Sequence, residues 1–229
     1  RELKSWSLLE HENVLPLLGV VIAPEAGQLW LVSPWMEKSN LRDYMQCHPE
    51  ADALHMLIGV ARGLKYVHSQ GIVHGDLKAN NVLVDDQGQP RLMDFGLSFD
   101  QEELNKVQTT SSMFYGNCRW LAPERLNPTE FNLRPAEARS TSSDVYAFGM
   151  VIYEVFSGEV PFYEIPNSMF IPGHVLDGKR PKPLEDVARP GFNGRLWSLL
   201  SDCWLGNPRE RPSVQAVEVA LQAVSSETE

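Results

Sequence analysis

The sequence predicts an α+β protein in which a small β-rich part comes first and a larger, mostly helical part follows. Two extended runs rich in Val, Leu and Trp, residues 14–22 and 28–36, flank the turn signal of residues 23–27 and predict an antiparallel hairpin. From Asp52 to Gly71, apolar residues recur every three or four positions, which indicates an amphipathic helix. Because no comparable strand pair precedes the hairpin, the β-rich part is small.

Shorter elements are indicated along the rest of the chain. The apolar pattern of residues 3–9 predicts the last turns of a helix that ends near residues 11–13. Short strands are predicted over residues 72–73, 82–84 and 91–93, with a turn at 85–90. An apolar helix is predicted over residues 145–156 with its N-cap among residues 142–144, and a final helix with Pro212 in its first turn.

Composition limits the partners of this chain. It has 229 residues, of which 43% are hydrophobic and 22% charged, as in an ordinary globular protein. The formal net charge of −10 argues against binding to nucleic acid or to an anionic membrane surface. The apolar run of residues 145–156 is broken by Glu154 and is shorter than the roughly 18 residues that span a bilayer, so we expect no membrane insertion.

The cysteines indicate a reducing compartment. The chain has three cysteines, which are widely separated and form no Cys-x-x-Cys pair: Cys47, Cys118 and Cys203. This spacing suggests neither a disulfide framework nor a zinc site. The first residues also lack the features of a secretory signal. We therefore expect a cytoplasmic protein.

Three short motifs in fixed order carry the chemistry. His-Gly-Asp-Leu-Lys-Ala-Asn-Asn occupies residues 74–81, Asp-Phe-Gly residues 94–96 and Ala-Pro-Glu residues 122–124. Each alone is a weak signal, but the ordered triple, with Asn81 five residues after Asp76, is specific. Phosphoryl transfer requires a carboxylate near the acceptor hydroxyl and oxygen ligands for a metal ion. The three motifs therefore indicate a phosphoryl-transfer centre.

These motifs resemble the catalytic half of a eukaryotic protein kinase domain, of the serine/threonine or tyrosine-kinase-like type. By this resemblance, Asp76 accepts or orients the proton of the substrate hydroxyl, and Lys78 reaches the transferred phosphate. Asn81 and Asp94 hold Mg²⁺, and ATP is the phosphate donor. The alternative, that Asp76 only caps a turn, is disfavoured because Lys78 and Asn81 also stand at the family spacing.

The resemblance also implies a nucleotide site. Pro34 lies where the hinge of this family binds adenine through backbone groups, and it fits because only its carbonyl is needed, with the amide of Met36 as donor. A turn between two domains is the alternative interpretation. Small Ser33 lies at the back of the adenine pocket, and Asn40 or Asp43 meets the ribose. The residues assigned to the nucleotide are Glu2, Ser33, Pro34, Met36, Asn40, Asp43 and Leu83.

His74 has two interpretations. Histidine titrates near neutral pH, which allows a catalytic role. In the family that this chain resembles, the equivalent histidine packs against the Phe of Asp-Phe-Gly. We therefore expect His74 and Phe95 to be core contacts, in a stack with Leu17 and Trp6.

The resemblance implies one buried ion pair with a structural role. Glu124 would pair with Arg211 and tie the segment that ends in Ala-Pro-Glu to the helical part. Loss of one partner of such a pair leaves an uncompensated buried charge. A change at either residue could therefore imitate a catalytic defect.

The chain departs from the family at Gly75, where many kinases have an arginine. That arginine normally contacts a phosphorylated residue, and glycine offers no charge for this contact. We therefore interpret residues 109–112 as a solvated loop rather than a phosphorylation switch. Lys78 and the approach over residues 116–120 favour serine or threonine as acceptor, although Asn117 replaces the usual threonine, so tyrosine stays open.

The largest departure concerns the first part of the domain. Glu2 stands nine residues before His11, as the helix glutamate of the family does, yet no glycine-rich loop and no Val-Ala-x-Lys strand precede it here. The resemblance implies that residues 1–36 are the remnant of an N-lobe and residues 37–229 a C-lobe. We expect the remnant to expose apolar surface, and we expect a missing N-terminal segment or regulatory domains.

The sequence thus supports two functions. The first is a protein kinase that transfers the γ-phosphate of ATP to hydroxyls of protein substrates, inactive or weak as this fragment. The second is a non-catalytic kinase-fold scaffold, or pseudokinase. Retention of Asp76, Asn81 and Asp94 favours the first, because a scaffold needs none of them.

Overall fold

A computed structural model describes residues 6–22, 29–94, 99–100, 117–184, 187 and 189–227. Within these residues it shows the predicted α+β fold: seven α-helices and three two-stranded antiparallel sheets. The helices are α1 (Leu41–Cys47), α2 (Ala53–Ser69), α3 (Pro123–Leu126), α4 (Thr141–Ser157), α5 (Ile171–Leu176), α6 (Gly194–Cys203) and α7 (Val214–Ser225).

The predicted hairpin is present but shorter than expected. β1 (Gly19–Ile22) pairs with β2 (Leu29–Val32) in antiparallel register. The first residues of the predicted strand pair outside the hairpin. Val14 bridges to Leu92, and the Leu15 amide donates to the Leu92 carbonyl at 2.9 Å. Apolar side chains on both faces of the hairpin are exposed, as predicted: Leu18, Val20, Val21, Ile22, Trp30 and Val32.

The helix predicted to end near residues 11–13 ends earlier. Backbone helix is described only at Trp6, and residues 7–8 form a turn. The His11 ring nitrogen Nδ1 accepts from the Asn13 amide at 3.0 Å, and the His11 carbonyl accepts from Val14. This local turn occupies backbone groups that a helix continued to residue 13 would need.

Two long helices form the centre of the molecule. The predicted helix from Asp52 onward is confirmed as α2, and Asp52 is its N-cap, with its Oδ1 accepting from the His55 amide at 3.0 Å. The N-cap prediction for α4 was wrong: the cap is Ser140, not a residue of 142–144, because Ser140 and Ser143 form a reciprocal capping box. Almost every residue of α4 is buried, so it is the central helix of the core.

The last helix, α7, begins at Val214, after Pro212. Ser213 is its N-cap and accepts from the Ala216 amide at 3.2 Å, so Pro212 precedes the cap instead of lying in the first turn. α7 packs along α2, where the buried carboxylate of Glu218 forms ion pairs with Arg62 and Lys65. These charges join two helices that are far apart in sequence.

Four short strands lead to and from the motif residues. β3 (Ile72–Val73) pairs with β6 (Phe99–Asp100), and β4 (Val82–Val84) pairs with β5 (Pro90–Leu92). β5 begins one residue before the predicted strand. The motif of residues 74–81 therefore starts where β3 ends and stops where β4 begins.

Gly63 is expected to tolerate no side chain. A Cβ at this position would lie 2.5 Å from the Asn13 carbonyl oxygen, a backbone atom that cannot move aside. We predict that Gly63→Ala lowers the free energy of unfolding by about 1–3 kcal/mol through overpacking. Chemical denaturation measures the change. Gly173→Ala in α5, where nothing lies within 4 Å, is the control and should be neutral or stabilising; equal losses in both variants would contradict the prediction.

Candidate active site

A buried carboxylate holds the catalytic loop, which we define as residues 74–81. Asp144, in the first turn of α4, accepts from the Gly75 amide at 2.9 Å and from the His74 amide at 2.8 Å. His68 Nε2 lies 2.8 Å from the same carboxylate. Burial by itself raises the pKa of Asp144, but the hydrogen bonds and the charge of His68 outweigh it and lower the pKa. The ionised form therefore fixes the start of the loop.

Asp76 is surrounded by donors. Its Oδ1 accepts from Asn117 Nδ2 at 2.7 Å, and its Oδ2 accepts from Lys78 Nζ at 2.9 Å and from Asn81 Nδ2 at 3.0 Å. The side chain of Asp76 is only 8% exposed. These bonds orient the carboxylate, and Oδ1 accepts from only one of the three donors. Such a carboxylate can accept a bond from a hydroxyl group.

Asn81 and Asp94 are brought to neighbouring positions by the β4–β5 pair. The Met93 amide donates to the Asn81 carbonyl at 3.0 Å, which continues the ladder beyond Val82 and Leu92. Asn81 Nδ2 also donates to the Asp76 carbonyl at 2.8 Å, which fixes the side-chain amide. An amide oxygen and a carboxylate are hard ligands of the kind that Mg²⁺ prefers, so the two residues fit this ion.

Asp94 has an unusual backbone. Its φ of 63° lies in the left-handed region, which aspartate adopts more readily than most residues. This conformation bends the chain directly after β5. Within the described ranges no group of three or more His, Cys, Asp or Glu side chains is placed to hold a metal ion. Asn81 and Asp94 stay the predicted ligands, and Mg²⁺ commonly takes its other oxygen ligands from water and nucleotide phosphates.

Two of the residues predicted to bind the nucleotide, Asn40 and Leu83, lie next to each other in the structure. Ser33, Pro34 and Met36 follow β2 directly, and Asn40 forms an antiparallel bridge with Leu83 of β4. Leu83 is half-buried, whereas its strand neighbours are fully buried, so it faces the opposite side of the strand. This arrangement joins the predicted hinge segment to the strand that follows Asn81.

Asn40 and Asp43 have structural contacts that the sequence did not indicate. Asn40 caps α1, since its Oδ1 accepts from the Asp43 amide at 3.0 Å. The Asp43 carboxylate in turn accepts from Asn40 Nδ2 at 2.8 Å and from Ser39 Oγ at 3.3 Å. A ribose contact by either residue stays a prediction.

His74 is a buried structural residue, as predicted. It is fully buried, its Nε2 lies 3.0 Å from the Met93 carbonyl, and its Nδ1 accepts from the Asp76 amide at 3.3 Å. Trp6 is also buried and Leu17 is partly buried against the core. Several predicted features lie outside the described residues: Glu2, Phe95, residues 109–112 and Gly116.

Sequence reasoning missed two side chains at the site. Asn117, noted only as a departure from threonine, donates to Asp76 and accepts from Lys78 Nζ at 3.0 Å. Arg125 donates to the Gly75 carbonyl at 2.8 Å from beneath the loop. Burial lowers the pKa of Arg125, although the charges of Asp144 and Asp76 act to raise it. Asn117 could have been found from its position before Ala-Pro-Glu, but no sequence signal indicated Arg125.

The predicted ion pair between Glu124 and Arg211 is confirmed. The two side chains form a bidentate contact with N–O distances of 2.6 and 2.7 Å, and both are buried. Arg211 also donates to the carbonyls of Leu205 and Ser142. The pair therefore joins α3 to the first turn of α4 and to the segment that follows α6.

Comparison with known proteins gives the family of this chain. The model of the family described as protein tyrosine and serine/threonine kinase matches residues 1–221. The chain belongs to the protein kinase family. It is 31% identical over 230 residues to human receptor-interacting serine/threonine-protein kinase 1 and covers 33% of that protein. It is 32% identical over 222 residues to a Dictyostelium discoideum protein titled "Probable serine/threonine-protein kinase", of which it covers 13%.

These kinases are much longer than this chain. Each alignment includes 95% of the chain, which spans about a third of the human relative and less of the Dictyostelium one. The shared region is the kinase domain, in keeping with the match to the family model. In the part of the kinase that the structure describes, no helix has the length and apolar character needed to cross a membrane.

Loss of the Glu124–Arg211 pair should destabilise this kinase. We predict that Arg211→Ala lowers the free energy of unfolding by about 3–5 kcal/mol, because Glu124 is left charged and buried. Thermal and chemical unfolding measure the loss. Arg134→Ala is the control, since Arg134 and Glu137 form an exposed pair and its removal should leave the unfolding midpoint unchanged. Similar midpoints for both variants would contradict the prediction.

Proposed function

We propose that this kinase transfers the γ-phosphate of ATP, with Mg²⁺, to serine or threonine hydroxyls of protein substrates. The observation that carries the proposal is the geometry of Asp76, a nearly buried carboxylate oriented by Lys78, Asn81 and Asn117. A non-catalytic domain has no need to keep a base, a lysine and two metal ligands in this arrangement. Similarity to serine/threonine kinases supports the acceptor class.

The residues of the site have separate tasks in this reaction. The substrate hydroxyl forms a bond to the γ-phosphorus, the bond from that phosphorus to the bridging oxygen of ADP breaks, and the hydroxyl proton passes to Asp76. Lys78 holds Asp76 in place and offers positive charge to the phosphoryl group. Asn81 and Asp94 would hold Mg²⁺, which when bound neutralises phosphate charge.

The nucleotide would lie between the hinge segment and β4. Pro34 would accept from adenine through its carbonyl, and the Met36 amide would donate to the ring. Leu83 would pack against the base, because it is the half-buried side chain on this face of β4. We assign Ser33 to the back of this pocket, Asn40 or Asp43 to the ribose, and Glu2 to the pairing with a strand lysine.

We also propose the two-lobe division of the chain, with residues 1–36 in an N-lobe and residues 37–229 in a C-lobe. The hairpin of β1 and β2 supports it, since these strands pair only with each other among the described strands. Their exposed apolar side chains suit a surface that further strands would cover. We place the reaction in the cytoplasm, where the free thiols of Cys118 and Cys203 would persist.

Substitution of Asp76 tests the proposal. We predict that Asp76→Asn lowers the rate of peptide phosphorylation by at least about a hundredfold, because an amide cannot accept the hydroxyl proton. Transfer of ³²P from ATP is measured for the 229-residue chain and for the protein translated from its complete reading frame. Asp86→Asn, in the exposed turn before Gly88, is the matched control and should keep the wild-type rate.

The two proteins are assayed together because the sequence predicts weak activity for the chain alone. A complete protein that neither binds Mg-ATP nor phosphorylates any peptide would overturn the proposal and favour the non-catalytic scaffold. Equal rates for the wild type and Asp76→Asn would exclude the assigned role of this carboxylate.

Asn117 provides a second test of the same site. Asn117→Ala removes a donor to Asp76 and an acceptor for Lys78, and we predict about a tenfold lower kcat with an unchanged KM for ATP, equivalent to about 1.4 kcal/mol. Asn117→Thr should recover most of the rate, because a hydroxyl can donate and accept at once. Steady-state kinetics at saturating peptide decide the outcome. A rise in KM alone would instead assign Asn117 to substrate binding.

A further inference from the structure

Glu154 joins two segments of the site through a single oxygen atom. It lies on α4, is 3% exposed, and its Oε2 accepts from the Ala79 amide at 3.0 Å and from Trp120 Nε1 at 2.8 Å. Ala79 belongs to the catalytic loop. Trp120 belongs to the segment of residues 117–121, which carries Asn117 to Asp76 and leads into Ala-Pro-Glu.

The other oxygen of Glu154 is buried and has no hydrogen-bond partner among the described residues. At this unpartnered oxygen, burial costs a charged carboxylate far more solvation free energy than it costs a neutral carboxyl group. Burial accordingly raises the pKa of Glu154 to about 7, although the bonds from Ala79 and Trp120 oppose the change. The preferred place for the proton is the unpartnered Oε1.

The surroundings of Glu154 contain cations that oppose its protonation and an adjoining cavity. Arg42 on α1, which lines a cavity with Glu154, and Lys78 in the catalytic loop carry charges that favour the ionised form of the carboxylate. Gln46 and Arg189 stand on the wall of an adjoining cavity of about 110 Å³, which Glu154 also lines. A cavity of this size has room for water.

We propose that Glu154 is a positioning residue: it couples the catalytic loop to residues 117–121, and proton uptake at its second oxygen loosens this coupling. The inference rests on the proposed kinase activity, since its effect on rate requires phosphoryl transfer. Hydrogen bonds to an ionised acceptor are roughly twice as strong as those to a neutral one. Ionised Glu154 therefore holds Ala79 and Trp120 more firmly than the protonated form.

Activity and stability should respond to pH in opposite directions. Phosphoryl transfer should rise as pH increases through about 7, because Glu154 ionises and the coupling tightens. The folded pKa lies above the ordinary value of 4.5, so the folded protein holds a proton that the unfolded chain releases. The stability that Glu154 contributes is therefore complete below about pH 4.5 and is lost as pH rises through about 7.

Glu154→Gln separates this role from ordinary packing. Glutamine keeps a carbonyl oxygen for both donors but cannot ionise, so it imitates the protonated form. In the complete protein we expect wild-type kcat to increase roughly fivefold between about pH 6 and about pH 8, while Glu154→Gln stays at the low value throughout. Glu159→Gln, at an exposed position beyond the end of α4, is the control and should keep the wild-type profile.

A second measurement does not depend on activity. The Trp120 indole N–H resonance, assigned by its loss in Trp120→Phe, is followed by NMR across the same pH range in the wild type and in Glu154→Gln. We expect an inflection near pH 7 in the wild type and in Glu159→Gln, and none in Glu154→Gln. The unfolding temperature of the wild type relative to Glu154→Gln should fall over the same range.

The outcomes separate the two proposals. If no form phosphorylates any substrate, the kinase activity is lost, and the indole titration still decides the state of Glu154. If Glu154→Gln does not fold, the wild-type titration alone decides it. The inference is overturned if the wild-type resonance shows no inflection, or if Glu154→Gln keeps the pH–rate profile of the wild type.

Discussion

The central helix α4 places two carboxylates inside the core, and the site depends on the hydrogen bonds that these carboxylates accept there. Buried charged groups are stable only when donors surround them. Asp144 near the start of α4 and Glu154 near its end meet this need with backbone amides from opposite ends of the catalytic loop, at His74, Gly75 and Ala79. The loop is therefore held at both ends by the same rigid helix.

This anchoring explains how a loop can present a precise arrangement of polar groups. Between the two anchors, Asp76 accepts from three side chains, and each of them has a second contact or a fixed backbone. Gly75 adopts a φ of 79°, a conformation that glycine reaches without strain. The Gly75 carbonyl accepts from Arg125. This position lacks the arginine side chain that many kinases have, yet a guanidinium group still contacts it.

The two parts of the chain differ in how they are stabilised. The helical part has a continuous core around α2, α4 and α7, reinforced by the buried pair of Glu124 and Arg211. The hairpin of β1 and β2 exposes apolar side chains on both faces, although Leu31 packs against the core. A two-stranded hairpin contributes little stability of its own. Contacts of Val14 and Leu15 with Leu92 attach this end of the chain to the helical part.

The sequence predicted much of this arrangement because its signals are local. Apolar periodicity indicated α2 and α4, and β-propensity with a turn indicated the hairpin. The spacing of Asp76, Lys78 and Asn81 indicated the chemistry, since these residues lie within one loop. The ends of the elements were predicted less well, as at the N-terminus of α4. Several neighbouring residues there can cap a helix, and only the contacts in the folded protein decide which of them does so.

By itself, the sequence determined the family, the fold class and the identity of the motif residues. Only the tertiary structure decided which distant side chains complete the site: Asn117 beside Asp76, Arg125 beneath Gly75 and Glu154 between two segments. Their hydrogen bonds span 34 to 75 positions in the chain. Periodicity and spacing report on neighbours within a few turns, whereas such contacts depend on how whole helices pack.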